Sequence, residues 1–325
     1  MTRVAILDDI HDALRDLPSV KRLAERTDLV IFTQPLAREE RAEALEGVEA
    51  VITLRERSQL DAAFFADAPS LRLVSQTGRA GPHIDRDAAN RAGVLIAEGL
   101  GGGTSSSTIE LTFALMMSIM RRIPQSDALV REGEWVVPYG IGLAGKTLGL
   151  VGFGRIGKIV GQLGVAFGMD VQTWSRNMTG ARAAEVGARA ASIEDVMRTS
   201  DVVSVHLALN DGTRGLVNAA LLRMMRAHTY FINTARAAVT DEAALVELLQ
   251  ERRIAGAGLD VFMQEPLPAD HPLLKLDNVV LTPHIGWPAD ASYERFAEGA
   301  VANIEAWLDN EPTNVVNPEA AAVRR

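Results

Sequence analysis

The chain has 325 residues, of which 47% are hydrophobic and 23% are charged. This length suits two domains, and this balance is typical of a folded protein with sizeable cores. The net charge of −9 argues against a nucleic-acid partner, because a nucleic-acid-binding face is basic. The lack of cysteine excludes disulfides, thiolate catalysis and zinc–sulfur sites, and no metal site is predicted.

The first part of the chain alternates between predicted strands and helices. A strand at the very start argues against a signal peptide, and the longest apolar stretch, 109–120, is too short to span a bilayer. A cytoplasmic protein without membrane contact is therefore predicted. A long helix is expected over 105–122, with Pro124 beyond its end. Before it, strands are predicted at 3–7, 29–32, 50–53, 72–75 and 94–96.

The second part continues this alternation. A final helix over 290–309 is apolar on one face, through Phe296, Ala300, Ile304 and Trp307. The tail from Glu311 to Arg325 has few large apolar side chains and is predicted to lie on the surface. Alternation of this kind predicts parallel sheets with crossover helices. Strands are predicted at 147–151, 170–174, 201–205, 229–232, 256–261 and 278–281.

Gly152, Gly154 and Gly157 form a G-x-G-x-x-G pattern between a predicted strand and a helical pattern. The first glycine permits a tight turn, the second lets the backbone approach a pyrophosphate, and the third lets helix and strand pack closely. A glycine-rich turn without a ligand is the simpler alternative. The strand–turn–helix setting nevertheless favours a dinucleotide site.

The residues after the strand predicted at 170–174 indicate whether the cofactor is NAD or NADP. An NAD site usually has Asp or Glu about 20 residues beyond the glycines, bound to the ribose 2′-hydroxyl. This chain has Ser175 and Arg176 instead. A carboxylate would repel a 2′-phosphate, whereas serine with arginine would bind one through charge-assisted hydrogen bonds. NADP is therefore favoured over NAD, and an ordinary solvated Arg176 is the alternative.

The glycine pattern lies in the middle of the chain, which predicts an interrupted domain. We expect an α/β protein of two lobes, with a Rossmann dinucleotide-binding domain inserted into a flavodoxin-like substrate domain. Residues 1–100 and 291–325 would form the substrate domain, and residues 101–290 would form the NAD(P)-binding domain. A cleft between the lobes would hold the substrate.

Candidate catalytic side chains lie at the end of the last three predicted strands or just beyond it. These are Arg236, then Asp260 and Glu265, then His284. Taken singly, each has a structural explanation, as an ion pair, a solvated loop residue or a turn cap. The carboxyl ends of parallel strands meet at one edge, where doubly wound folds bind ligands. We therefore expect these side chains to converge.

Several segments match one known family. They are Gly145–Gly149, His206–Leu209 with Thr213–Leu216, Asn233–Arg236, Gly258–Pro266 and Thr282–His284. Through them the chain resembles the D-isomer-specific 2-hydroxyacid dehydrogenases over nearly its whole length. The resemblance is to the glyoxylate or hydroxypyruvate reductases and to phosphoglycerate dehydrogenase-like members without a C-terminal regulatory domain.

The resemblance implies a catalytic trio of Arg236, Glu265 and His284. A hydride would pass between NAD(P)H and a 2-keto acid, giving a D-2-hydroxy acid. Protonated His284 would act as general acid, Glu265 would hold the other ring nitrogen, and Arg236 would bind the substrate carboxylate. Asp260 would contact the nicotinamide side of the cofactor. Further cofactor contacts are implied at Arg155, Ile156, His206, Leu207, Thr213, Thr234 and Ala235.

The resemblance also implies that the loop Gly78–Gly81 presents backbone N–H groups to the substrate carboxylate. Arg79, Ala80 and Gly81 would thus bind substrate, together with Arg236 and Trp287. Arg79 would hold a second anionic group, such as a phosphate, or pair with a local acid. Trp287 would line the substrate pocket or serve interlobe packing. A homodimer is implied, with the segment around Pro124–Gly142 reaching the partner.

Two other functions remain open from the residues alone. One is a nucleotide-sensing, corepressor-like member of the same fold without catalysis. The other is a phosphonate dehydrogenase. A formate dehydrogenase is disfavoured, because formate enzymes on this fold pair their histidine with Gln, whereas this chain has Glu265.

Overall fold

A computed structural model describes residues 1–99, 105–135, 139–287 and 289–323. The chain divides into two compact units. The first comprises Met1–Thr104 and Pro288–Arg325, and the second comprises Ser105–Trp287. The first unit is therefore discontinuous in sequence. The predicted domain boundary near residue 100 lies outside the described residues.

The first unit contains a five-stranded parallel sheet with the order β2-β1-β3-β4-β5. This is the flavodoxin-like strand order. Its strands are β1 Arg3–Leu7, β2 Asp28–Ile31, β3 Val48–Thr53, β4 Leu73–Gln76 and β5 Leu95–Glu98. Its first helices are α1 Pro18–Arg26, α2 Arg38–Ala44, α3 Ala62–Asp67 and α4 Arg86–Ala92.

The central strands of this sheet are buried along nearly their whole length, because helices cover both faces of a parallel sheet. Ala5, Val51, Val74 and Ile96 are all buried within one apolar cluster. Side chains cap two of the helices that cover these strands, α3 at Asp61 and α4 at Asp85. Asp85, for example, accepts a hydrogen bond from the Ala88 N–H at 2.9 Å.

The second unit contains a seven-stranded parallel sheet with the order β12-β11-β10-β9-β6-β7-β8. Counted from β6, this is the Rossmann order with one further strand at the edge. Its strands are β6 Thr147–Val151, β7 Asp170–Trp174, β8 Arg189–Ala190, β9 Val202–Val205, β10 Tyr230–Asn233, β11 Gly256–Leu259 and β12 Val279–Leu281. Its helices are α5 Ser105–Met120, α6 Ile123–Arg131, α7 Arg155–Ala166, α8 Gly180–Ala184, α9 Ile193–Thr199, α10 Ala219–Leu222 and α11 Glu242–Gln250.

Two separate apolar clusters pack within this unit. One holds Phe231 and the helix side chains Leu245 and Leu248. The other holds Ile232 and side chains of α5, such as Met116. Neighbouring residues of β10 therefore contribute to opposite clusters, as expected of a strand that is buried on both faces. The predicted α/β fold with parallel sheets is confirmed. In the described parts of the chain, no helix has the length and apolarity needed to cross a membrane.

The helix predicted over 105–122 is α5, and Pro124 lies beyond its end as expected. The predicted helix ends at Met120 instead of 122, and Arg122 adopts a left-handed conformation with φ 54°. A second helix, α6, then begins at Ile123 with Pro124 in its first turn. Proline fits there because the first N–H groups of a helix have no partner within the helix.

The final helix, α12 Asp290–Leu308, belongs to the first unit. Phe296, Ala300 and Ile304 are buried, as the apolar pattern predicts. Helix and sheet are joined by the Ser75 hydroxyl, which donates to the Ala300 carbonyl at 2.9 Å.

The prediction that the tail from Glu311 lies on the surface holds for most of its described residues, but it is wrong for Asn317 and Ala320. Asn317 is fully buried beside β5. Its Oδ1 accepts the Ile96 N–H at 2.6 Å, and its Nδ2 donates to the Val94 carbonyl at 2.9 Å. Counting apolar residues misses this arrangement, because a polar side chain here satisfies the backbone groups of an edge strand.

Candidate active site

The glycine pattern forms the turn between β6 and α7. Gly152 has φ 109°, and a Cβ atom there would lie 2.5 Å from the His206 carbonyl oxygen. A Cβ atom on Gly157 would collide with the Gly152 carbonyl, so helix and strand approach closely there. Among the described residues, no atom lies within 4 Å of a Cβ position on Gly154, which precedes the first residue of α7. The space beside Gly154 and the N–H groups at the start of α7 fit a bound pyrophosphate.

At the end of β7, Ser175 is half-buried and Arg176 is exposed. The Arg176 guanidinium donates to the Gly212 carbonyl at 3.3 Å. Arg182, in the following helix α8, donates to the Asn177 carbonyl at 2.6 Å. Sequence reasoning did not single out Arg182, although its charge beside Arg176 adds to the attraction for an anion.

The end of β9 lies against the glycine turn between β6 and α7. The His206 N–H donates to the Val151 carbonyl at 2.8 Å, and its Nε2 lies 2.9 Å from the Ser204 hydroxyl. Burial lowers the pKa of His206 to about 4, so this imidazole is neutral at neutral pH. Leu207 is half-buried, and the Thr213 hydroxyl donates to the Ala208 carbonyl at 2.6 Å, closing the loop after β9.

Arg236 follows β10 on a turn that Asn233 organises. Asn233 Oδ1 accepts the Ala235 N–H at 2.9 Å, and its Nδ2 donates to the Arg236 carbonyl at 3.3 Å. The half-buried Arg236 guanidinium donates to the Ala235 carbonyl at 2.7 Å. Thr234, on the same turn, is buried. The amide of Asn233 thus holds both sides of the turn that carries Arg236.

Glu265 and His284 form a pair. Glu265 Oε2 lies 2.7 Å from His284 Nδ1, while Oε1 accepts the Phe262 N–H at 2.9 Å. Burial alone would raise the pKa of Glu265. The hydrogen bonds from His284 and Phe262, with the nearby charges of His284 and Arg236, outweigh burial and lower that pKa. Ionised Glu265 only accepts hydrogen bonds, so the proton of this pair lies on Nδ1, and Nε2 is the atom left for chemistry.

Asp260 organises the loop that carries His284. Its buried carboxylate accepts hydrogen bonds from the Thr282 hydroxyl at 2.6 Å, the Ile285 N–H at 2.8 Å and the Gly286 N–H at 2.9 Å. His284 itself adopts a left-handed conformation with φ 55°, which is unfavourable for a residue with a Cβ. Burial raises the pKa of Asp260, although these hydrogen bonds oppose the shift. The predicted contact of Asp260 with the nicotinamide stays a prediction.

The second unit therefore holds four predicted residues together at the carboxyl edge of its sheet. Asp260 binds the backbone of the His284 loop, His284 pairs with Glu265, and the charge of Arg236 acts on Glu265. Trp287 is half-buried at the end of the same loop. A proton donor, an anion that orients it and a guanidinium thus lie at one edge of this sheet.

In the first unit, the loop Gly78–Gly81 follows β4. The Ala80 N–H already donates to Glu98 Oε1 at 3.0 Å. A Cβ atom on Gly78, which has φ 84°, would collide with the Arg55 guanidinium. Arg79 is exposed. The predicted binding of a carboxylate by this loop stays a prediction, and Ala80 would have to exchange Glu98 for that ligand.

The fold and this edge define a dinucleotide-binding oxidoreductase of the α/β class. The family model "D-isomer specific 2-hydroxyacid dehydrogenase, NAD binding domain" matches residues 113–286. A glyoxylate reductase of Aeropyrum pernix is 38% identical over 277 residues, which cover 82% of each chain. Another of Korarchaeum cryptofilum is 35% identical over 95% of this chain and 96% of its own. A solved structure of a putative D-3-phosphoglycerate dehydrogenase from Ralstonia solanacearum is 36% identical, covers both chains fully and has a TM-score of 0.91.

The chain belongs to the D-isomer-specific 2-hydroxyacid dehydrogenase family, which confirms the resemblance seen in the sequence. It is an oxidoreductase of that family and uses a nicotinamide cofactor.

The pairing of Glu265 with His284 predicts how the Glu265 carboxyl titrates. In the wild type, the Glu265 carboxyl should titrate below its ordinary pKa of 4.5, because the hydrogen bonds to the anion outweigh burial. In His284→Ala, burial remains while the strongest of these hydrogen bonds is lost, so the pKa of Glu265 should rise. Carbon-13 NMR of labelled glutamate carboxyls would measure the pKa of Glu265 in the wild type and in the variant. Exposed Glu132, followed in the same spectra, is the control. An unchanged Glu265 titration in His284→Ala would contradict the pairing.

Proposed function

We propose that the chain reduces a small 2-keto acid, such as glyoxylate, to the corresponding 2-hydroxy acid. The observation that carries this proposal is the 2.7 Å contact between Glu265 and His284 at a sheet edge that also carries Arg236. The names of the glyoxylate reductases that the chain resembles support a substrate of this size.

His284 acts as the general acid at Nε2. Glu265 holds Nδ1, so the ring is fixed with Nε2 directed away from the carboxylate. The nicotinamide, when bound, supplies the hydride that adds to C2 of the keto acid. His284 gives its Nε2 proton to the carbonyl oxygen, so the C=O group becomes CH–OH. In the reverse direction, neutral His284 accepts that proton.

Arg236 binds the substrate carboxylate and polarises the carbonyl. A guanidinium presents a planar fork that matches the two carboxylate oxygens. As negative charge develops on the carbonyl oxygen, the same cation stabilises it more strongly than it stabilises the ground state. Arg236 therefore contributes to both binding and rate.

Enzyme assays with glyoxylate, hydroxypyruvate, pyruvate and phenylpyruvate, each with NADH and NADPH, test the proposal. We expect turnover of at least glyoxylate, and a loss of about 10²–10⁴-fold in kcat in His284→Ala. Arg236→Lys should raise KM for the keto acid and lower kcat, because the charge stays but the fork is lost. The Kd of the cofactor should not change. Arg223→Lys, at a surface ion pair with Glu247, is the matched control.

Two outcomes would overturn this assignment. Wild-type kinetics in Arg236→Lys would make Arg236 a structural residue. No turnover of any keto acid would favour a corepressor-like, nucleotide-sensing role instead.

We further propose NADPH as the preferred cofactor. The exposed guanidinium of Arg176 follows Ser175 at the end of β7, where an NAD-specific member would carry a carboxylate. Its hydrogen bond to the Gly212 carbonyl is long, at 3.3 Å, and a phosphate oxygen is a stronger acceptor for a guanidinium.

Arg176→Ala should weaken NADPH binding by about 1.5–3 kcal/mol, the range for hydrogen bonds to charged groups. NADH binding should hardly change, since NADH has no 2′-phosphate. Fluorescence titration of both reduced cofactors measures this difference. Arg189→Ala, an exposed arginine on the neighbouring strand β8, is the control. A wild type that prefers NADH in kcat/KM, or an equal loss for both cofactors, would contradict the proposal.

We also propose that the segment around Pro124–Gly142 takes part in a homodimer. Helix α6 buries none of its residues. Ile123, Val130, Trp135 and Tyr139 are exposed apolar side chains on this segment, and such patches mark interaction surfaces. Residues 136–138, within the segment, lie outside the described residues.

The variant Ile123→Glu with Val130→Glu should shift the chain towards the monomer, because each charge would lose its hydration on burial in a dimer. Sedimentation velocity measures the change. Ile10→Glu, an equally exposed apolar position in the first unit, should leave the mass unchanged. A wild type of monomer mass, or an unaffected double variant, would refute this role.

A further inference from the structure

Helix α5 approaches the sheet of the second unit closely. Gly258 in β11 lies against it, and a Cβ atom there would sit only 2.9 Å from the Leu115 side chain. The helix therefore passes directly over the last three strands, whose ends carry Arg236, Asp260 and His284. Thr108 and Thr112 lie one turn apart on α5, so they project from the same face.

Thr108 contacts the loop that carries His284. Its hydroxyl donates to the Gly286 carbonyl at 2.7 Å. Asp260 binds the N–H group of the same residue, Gly286, at 2.9 Å. The peptide groups on both sides of Gly286 are thus held, one by a strand-end carboxylate and the other by a helix.

Thr112 contacts the turn that carries Arg236. Its hydroxyl donates to the Thr108 carbonyl at 2.7 Å and lies 2.9 Å from the Thr234 hydroxyl. A hydroxyl has one hydrogen, and a carbonyl can only accept, so Thr234 must be the donor to Thr112. Both hydroxyls are buried, where an unpaired polar group is costly. This hydrogen bond therefore fixes the position of Thr234, two residues before Arg236.

We propose that Thr108 and Thr112 are positioning residues for catalysis. Through them, one turn of α5 fixes the His284 loop relative to the Arg236 turn. This inference rests on the proposed function of the trio. The spacing between acid and guanidinium decides whether both reach one keto acid, and misplacement by about 1 Å can cost about 10²-fold in rate. Holding His284 in its left-handed conformation also requires contacts on both sides of it.

The test compares Thr108→Val and Thr112→Val with Thr108→Ser and Thr112→Ser. Valine keeps the shape and removes the hydroxyl, while serine keeps the hydroxyl. Each valine variant should lower kcat for the keto acid about tenfold or more, whereas each serine variant should restore it. The Kd of the cofactor should stay the same. Ser118→Ala, on the same helix, is the control for hydroxyl loss without these contacts.

Hydrogen exchange gives a readout that does not depend on activity. The Ile285 and Gly286 amides donate to buried Asp260, so they should exchange slowly in the wild type. In Thr108→Val, the peptide covering residues 282–287 should exchange faster, and in Thr108→Ser it should not. If Thr112→Val does not fold, the half-buried position Thr108 decides the test alone.

The possible outcomes separate the two proposals. Unchanged exchange or unchanged kcat in Thr108→Val overturns the positioning role, as does an equal loss in the valine and serine variants. A wild type that reduces no keto acid overturns the proposed function. In that case, faster exchange in Thr108→Val still supports the part of the inference that concerns the loop.

Discussion

All paired strands within each of the two sheets run in the same direction, and most features of the site depend on this constraint. Parallel strands need crossover connections, which bring the chain back to the same starting edge each time. Every strand consequently ends at the same opposite edge. Glycines, an arginine, a glutamate and a histidine, spread over more than 100 residues of sequence, are collected there without any local signal that joins them.

Reaching one edge does not by itself orient a side chain. The loops of the second unit are oriented by buried polar groups that bind backbone atoms. Asn233 binds both sides of the Arg236 turn, and Asp260 binds three groups of the His284 loop. Such groups are costly to bury unless every polar atom is paired, so they tolerate few alternative loop conformations. Asn317 acts in the same way in the first unit, where it holds the tail against β5.

The two ends of the proposed cofactor site differ in physical character. At the adenosine end, Ser175 and Arg176 lie near solvent, and their contribution depends on charge. At the nicotinamide end, Thr234 and Asp260 are buried and already hydrogen-bonded within the protein. In the proposed site, the choice between NAD and NADP would thus depend on one exposed side chain, whereas the geometry near the reacting atoms would depend on many buried contacts.

The sequence by itself determined the fold class and the family, because apolar periodicity and the glycine pattern are local properties. It also identified Arg236, Glu265 and His284 as candidates. It did not predict α6 or the burial of Asn317, since the role of a proline or of an asparagine depends on which backbone groups lie beside it. It gave no sign of Thr108 and Thr112, which are two ordinary residues of a helix in sequence. Only the tertiary structure decided their contacts, because Gly258 lets α5 approach β11 closely and the hydrogen bonds of that helix join segments over 100 residues apart.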